Sequence, residues 1–434
     1  MQPSKLGPIY LSPGVNKLNA FTLLYAAFFT IGLLTFIGVS TPYVLSEILN
    51  VKQSSQGIVT GNLVFWTEVT TLALFGPIGI AADRIGRKFV YVSGFLFMGI
   101  GYALYPTAES INELIIYRVI YAIGVALAAG MLATVLTDYP QERSRGKLVG
   151  IVGALNGLGI VVINRIVGTL PEKLVLNGVD NIRAGEIAYW IVAGLCFLSS
   201  IILMIGLKGG VPEKKENRPS LKTLSSSAIR NFYENRRITL AYCSAFIARG
   251  DLVIIGSFLT LWGTNVGIEQ GLSVAEAQSK ATKTFVLVQI AALGWTGLII
   301  FFIDKFNRIT FLSFCMILSS ISFLSMGLID DPTSEKALPF IILLGVGQIS
   351  VFFGSQSLIG QEAPQRERGS VIGGFNIMGA IGIIFCSLIG GKIFDVISPS
   401  TTFVFIGCLN LLVLLFSLYV RLTSPGSNQV PDKI

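Results

Sequence analysis

The sequence predicts an all-α membrane protein: twelve transmembrane helices arranged as two pseudo-symmetric six-helix bundles. Three observations carry that prediction. Of the 434 residues, 52% are hydrophobic and only 13% are charged, against roughly 25% charge in a soluble domain, which excludes an ordinary water-soluble enzyme. The apolar excess falls in about a dozen stretches of around 20 residues, each long enough as a helix to cross a hydrocarbon layer ~30 Å thick. The longest polar interruption, 208–237, divides these stretches six and six. The runs are continuously apolar, as in 89–105 and 401–419, whereas the strands of a membrane barrel alternate over ~10 residues.

In chain order, span 1 (18–46) is far longer than the 7–15-residue apolar core of a signal peptide, so it reads as a membrane helix. Span 2 (55–82) contains Trp66 and Glu68, and span 3 covers 88–106. Span 4 (112–137) carries Arg118, and span 5 (147–168) carries Gly150, Gly153, Gly157 and Gly159. Arg165, near the outer end of span 5, reads as a snorkelling side chain. Span 6 covers 186–207; the linker that follows holds Pro212, Pro219 and a run of serines, Ser225–Ser227. Span 7 (238–264) contains Arg249 and Asp251. Span 8 (275–303) is preceded by Ser273-Val274-Ala275-Glu276, a capping-box pattern, and contains Gln289. Span 9 (309–329), span 10 (337–361, with Gln348), the glycine-crowded span 11 (369–394, with Asn376) and span 12 (400–420) complete the set. The chain thus divides into a first bundle, 1–207, a basic linker, 208–237, and a second bundle, 238–434.

The net charge of +8 is explained by where the cations sit. Lys and Arg concentrate at both termini, in the linker and in every second loop, so basic loops stay inside and the termini and linker are expected to face the cytoplasm of a cell membrane. Nucleic acid is not an expected partner; the lipid bilayer is. All five cysteines (Cys196, Cys243, Cys315, Cys386, Cys408) fall in apolar runs and read as small core residues rather than a disulfide framework. There is no histidine, so proton chemistry must use carboxylates.

The two halves repeat. Asp83-Arg84-Ile85-Gly86-Arg87 after span 2 corresponds to Asp304-Lys305-Phe306-Asn307-Arg308 after span 8, an offset of 221. Pro140-Gln141-Glu142-Arg143-Ser144-Arg145-Gly146 corresponds to Pro364-Gln365-Arg366-Glu367-Arg368-Gly369 at 223 to 224. Two matches at nearly one offset indicate a duplicated six-helix unit, the construction of many transporters. Gly79-Ile80-Ala81-Ala82-Asp83-Arg84-Ile85-Gly86-Arg87-Lys88 resembles the loop 2–3 signature of the major facilitator superfamily, and Arg118 followed by Gly124 resembles its span 4 motif, with Ala126 in place of the second glycine. The resemblance covers the whole chain and implies that fold, transport by alternating access, and a cytoplasmic latch. Span 5 lacks the Gly-Pro step of the family's antiporters.

Asp83 sits at a helix C-terminus, where the dipole disfavours an anion, and so needs a partner; Arg84, Arg87 and Arg145 are the candidate cations. The resemblance implies that Gly79, Asp83, Arg84, Gly86, Arg87, Arg145, Asp304 and Arg308 form the latch. Within the spans, charge costs at least ~2.5 kcal/mol and marks function by default. Glu68 lies fifteen residues before Asp83, ~22 Å from the inner end, and its repeat equivalent is Gln289. Arg249 and Asp251 lie about 200° apart around their helix, so only one faces a cavity; Arg249 is assigned inward, as a bidentate anion ligand. Pairs such as Arg249–Glu68 or Arg118–Asp251 that only hold the fold are the alternative. Arg249, Arg118, Gln289, Trp66, Tyr25, Gln348 and Asn376 are the expected substrate ligands, and Glu68 and Asp251 the proton carriers. Trp262 and Trp295 are open between cavity lining and interface belt.

No phosphate-binding loop is present. The expected function is therefore secondary active transport of a small organic anion coupled to protons, by a monomer with no cofactor. Efflux of amphipathic compounds and a non-transporting receptor or sensor on the same fold are the competing readings.

Overall fold

A computed structural model describes residues 5–210, 221–303 and 305–425. Among the described residues, fifteen α-helices follow a short hairpin, β1 (Lys5–Leu6) and β2 (Ile9–Tyr10): α1 Lys17–Tyr43, α2 Gln53–Ile85, α3 Arg87–Leu104, α4 Ile111–Asp138, α5 Glu142–Val167, α6 Leu170–Leu176, α7 Asn181–Gly206, α8 Leu221–Glu234, α9 Arg236–Val253, α10 Leu259–Glu269, α11 Val274–Ile303, α12 Arg308–Ser325, α13 Leu338–Glu362, α14 Arg368–Val396 and α15 Pro399–Thr423. Twelve spans long and apolar enough to cross a membrane are present among the described residues, each within a few residues of its expected position except where span 5 continues through α6 to Leu176. The protein is a multi-pass membrane protein.

Local chemistry sets the helix ends. Asn16 and Asn19 cap α1 reciprocally, Ser110 caps α4, and Ser273 Oγ accepts from the Glu276 N–H at 3.3 Å, as the capping-box spacing predicts. Gly86, at φ +94°, makes the one-residue turn between α2 and α3 that a side chain would resist. The sequence pattern does not show that spans 1 and 7 each contain a π-turn, Val44–Ile48 and Ile254–Phe258; Pro42, which lacks an N–H, lies just before the first.

The described chain packs as two compact units. One holds residues within 1–52, 66–214 and 264–286, the other residues within 53–65, 215–263 and 287–434. The start of α2 therefore clusters with second-half helices and the start of α11 with first-half helices.

Within each unit the repeat is visible in the packing. In the first, Gly159 of α5 lies so close to α1 that an added Cβ would stand 2.0 Å from the Phe28 carbonyl oxygen. In the second, Gly382 of α14 meets the Phe246 carbonyl of α9 at the same 2.0 Å. Gly382 lies 223 positions after Gly159, the offset of Arg145 and Arg368. Lipid supplies no hydrophobic drive between helices, so such glycine-permitted approach is how the helices hold together.

Candidate functional site

In the first unit the polar centre is Arg118 on α4, only 5% exposed. Its Nε donates to Thr67 Oγ1 of α2 at 2.9 Å. The guanidinium carbon lies 5.4 Å from the ring centre of Tyr121 and 6.0 Å from that of Tyr105, distances at which a cation is attracted by the ring face. Nη1 is buried without a partner, and no ion pair joins Arg118 to a described carboxylate. Four tyrosines that sequence reasoning missed surround this region and tie α3, α4 and α7 to α1. Tyr102 donates to the Leu33 carbonyl and Tyr121 to that of Leu34, Tyr105 bonds Thr41, and Ser40 donates to Tyr189. In sequence alone, tyrosine in an apolar run reads as an interface residue.

Glu68 follows Thr67 on α2 and is half-buried, and Trp66 is exposed. Tyr25 shares a hydrogen bond with Ser199 at 2.9 Å, joining α1 to α7. Arg165 is exposed, its Nη1 3.4 Å from Thr169 Oγ1 one turn on.

In the second unit Arg249 and Asn376 meet: Arg249 Nη2 donates to Asn376 Oδ1 at 3.5 Å. The stem of Arg249 crosses α14 at Gly379, where an added Cβ would stand 2.7 Å from Cγ. Asp251 points away from that contact, as its angular separation requires. It is fully buried and accepts from Asn410 Nδ2 of α15 at 3.2 and 3.4 Å and from Ser319 Oγ of α12 at 3.2 Å. Arg118 is bonded to Thr67, and Asp251 to Asn410 and Ser319, each within its own unit. Gln348 is buried, its Oε1 unpartnered, and Gln289 is half-buried on α11. Trp262 packs on Phe403, and Trp295 Nε1 donates to Ser350 Oγ at 2.8 Å.

At the loop signature, Gly79 and Arg84 are exposed and Asp83 is half-buried. Arg87 pairs with Asp138 at the end of α4. Sequence reasoning missed Asp138, although a carboxylate at a helix C-terminus needs a cation just as Asp83 does. Arg145 pairs within its own helix with Glu142 at 2.5 Å, and Arg308 donates to the Ile303 carbonyl. Asp304 lies outside the described residues. In the loop 364–369, the repeat of 140–146, Glu367 accepts from Ser227, Asn231 and Arg230 of α8, and these bonds hold its carboxyl down at about 2.

A family model for the Major Facilitator Superfamily matches residues 23–386 and 303–433. The chain belongs to the Major Facilitator Superfamily. It is therefore a transporter that takes a small-molecule substrate within the membrane, and not an enzyme. Among its relatives, Magnetosome protein MamH of Paramagnetospirillum magneticum is 28% identical over 93% of this chain and 92% of its own length. Magnetosome protein MamZ of Magnetospirillum gryphiswaldense is 22% identical over 87% of this chain, which spans 58% of that longer protein. The crystal structure of the nucleoside transporter NupG superposes with a TM-score of 0.73 at 14% identity, covering 93% of this chain and 98% of that one; at that identity the likeness concerns the fold alone.

Proposed function

We propose that this transporter moves a small organic anion together with protons, exposing its binding site to either side of the membrane in turn. One observation carries the reading: Arg118 is buried in span 4 with a spare guanidinium nitrogen and no carboxylate partner among the described residues. A cation held out of water without a counter-charge is unfavourable, and an anionic ligand relieves that cost. Arg249 with Asn376 is the second unit's anion ligand in this proposal, and Gln289, Gln348, Tyr25 and Trp66 are the further candidate ligands of their own units. Glu68 carries the proton; Asp251, saturated by Asn410 and Ser319, is the second candidate. Asp83, Arg84, Arg87 and the equivalent second-half loop ending at Arg308 form the latch on the cytoplasmic side, with termini and linker in the cytoplasm and the protein acting as a monomer.

The test is a thermal-shift screen of the purified protein at pH 5.5 and 7.5 against small carboxylates and phosphates and against amphipathic cations. Stabilisation by anions that grows at the lower pH supports the proposal. Stabilisation by the cations alone favours efflux instead. Membrane placement has two versions. The sequence reading expects the cell membrane, whereas similarity to two proteins named magnetosome proteins favours the magnetosome, and fractionation followed by immunoblotting separates them.

A further inference from the structure

Inside the second unit, oxygens from three helices converge on Asp251 of α9. Its Oδ1 and Oδ2 accept from Asn410 Nδ2 of α15 at 3.2 and 3.4 Å, and Oδ2 also accepts from Ser319 Oγ of α12 at 3.2 Å. The same Asn410 nitrogen donates to the Ile406 carbonyl at 3.1 Å. Two amide hydrogens thus serve three acceptor oxygens, while Asn410 Oδ1 is buried without a partner. Asp251, Ser319, Ile406 and Asn410 are each 0% exposed. The cluster holds more lone pairs than protons, and these described partners of the carboxylate are neutral, so none of them balances its charge. A π-turn, Ile254–Phe258, begins three residues after Asp251 on the same span, and such turns recur at functional sites.

The spacing suits an ion. A hard cation of the size of Na⁺ or Ca²⁺ holds oxygens at about 2.4 Å, so ligands at right angles stand about 3.4 Å apart. Turning the Asn410 amide by half a revolution exchanges Nδ2 and Oδ1, which have nearly the same shape. Oδ1 then stands 3.1 to 3.4 Å from the oxygens of Asp251 and Ile406. Ser319 can pass its proton to a carbonyl one turn back, as Ser313 does to Ile309 at 2.9 Å, and keep its lone pairs toward Asp251. Five oxygens then line one small space, two from Asp251 and one each from Ser319, Asn410 and Ile406. One carboxylate balances one positive charge, which favours a monovalent ion over Ca²⁺. K⁺, at about 2.8 Å from its ligands, needs them about 4.0 Å apart. A proton adds a single donor and leaves the other acceptors as they are.

We propose that Asp251, Ser319, Asn410 and the Ile406 carbonyl form a sodium site that ties spans 7, 9 and 12 together within the second unit. The ion belongs to the frame of that unit and leaves the proton to Glu68. The proposal goes beyond the anion reading and does not depend on it. An ion that binds only the folded chain stabilises it in proportion to occupancy, so a dissociation constant near 10 mM raises the unfolding midpoint by about 2 °C at about 100 mM Na⁺.

The experiment is thermal unfolding of the full chain in lipid nanodiscs, without organic anion, in NaCl, KCl or choline chloride at one ionic strength, together with equilibrium binding of radioactive sodium. The expected result is a midpoint that rises with Na⁺ above its value in the other two salts, and about one ion bound per chain. Asp251→Asn removes the rise and the bound ion. Ser319→Ala keeps the charge but loses a ligand, and raises the half-saturating Na⁺ concentration about fivefold; it decides the matter if Asp251→Asn does not fold. Ser313→Ala, a buried serine on the same helix that bonds Ser417 instead, keeps the parent's Na⁺ dependence. Equal midpoints in the three salts overturn the proposal, as does a Na⁺ response that survives in Asp251→Asn. A midpoint that follows pH and ignores Na⁺ also overturns it and gives Asp251 a proton instead.

Discussion

Arg118 and Asp251 are both buried in membrane spans, and the protein holds them in opposite ways. Asp251 sits among neutral donors: Asn410 reaches both of its oxygens and Ser319 reaches one. Arg118 has one hydrogen bond, to Thr67, two aromatic faces, and a nitrogen with nothing to donate to. A buried charge whose hydrogen-bonding positions are filled belongs to the frame of its unit, while one with a spare donor can take a ligand. In the proposed reading Arg118 is the first unit's anion ligand, and Asp251 belongs to the frame of the second.

The largest expected effect is that of Arg249→Ala, which abolishes uptake with expression intact; undiminished uptake removes Arg249 from the site. Arg118→Ala follows. Loss of a hydrogen-bonded charge costs about 1.5–3 kcal/mol, so uptake of an anionic ligand in proteoliposomes falls by roughly 10- to 100-fold, and Arg118→Lys, which lacks the planar fork, recovers only part of it. Asp251→Ala has the opposite profile. It leaves Asn410 and Ser319 without an acceptor, lowering stability by about 1–3 kcal/mol, seen as a reduced unfolding midpoint, while the ligand's apparent affinity stays within about twofold. Glu68→Gln isolates the proton step by removing the pH dependence of uptake while exchange of labelled ligand persists.

Two smaller effects concern the loops. Asp83→Asn is expected to slow turnover a few-fold with little change in affinity; normal turnover with a large affinity loss contradicts the latch role. Glu367, held at about 2 against an ordinary 4.5, keeps its grip on α8 at pH 5 and above and loses it as pH falls from 4.5 toward 2, because a depressed carboxyl stabilises only while ionised. Hydrogen exchange of α8 amides at pH 5.5 and 2.5 reads this directly, and Glu367→Gln frees α8 at both.

The spans were legible because a helix apolar on every face for about 20 residues must be surrounded by lipid or by helices like itself. Their duplication was legible because Asp83 and Asp304, and Arg145 and Arg368, stand at nearly one offset. The opposed facing of Arg249 and Asp251 followed from helical angle alone, and the structure adds what each one touches. The surroundings of Arg118 could not be read. Tyr102, Tyr105, Tyr121 and Tyr189 come from three separate segments and converge only when α3, α4 and α7 pack against α1. Asn410 and Ser319 were indistinguishable from other small polar residues until α12 and α15 brought them to Asp251.

Recognition of a proton-coupled anion by Arg118 is tested most directly by uptake of a labelled carboxylate that stabilises the purified protein, measured in proteoliposomes under an imposed inward proton gradient. Accumulation that follows the gradient and is lost in Arg118→Ala is the expected result; accumulation that is indifferent to the gradient, or that proceeds at the parent rate in the variant, contradicts it.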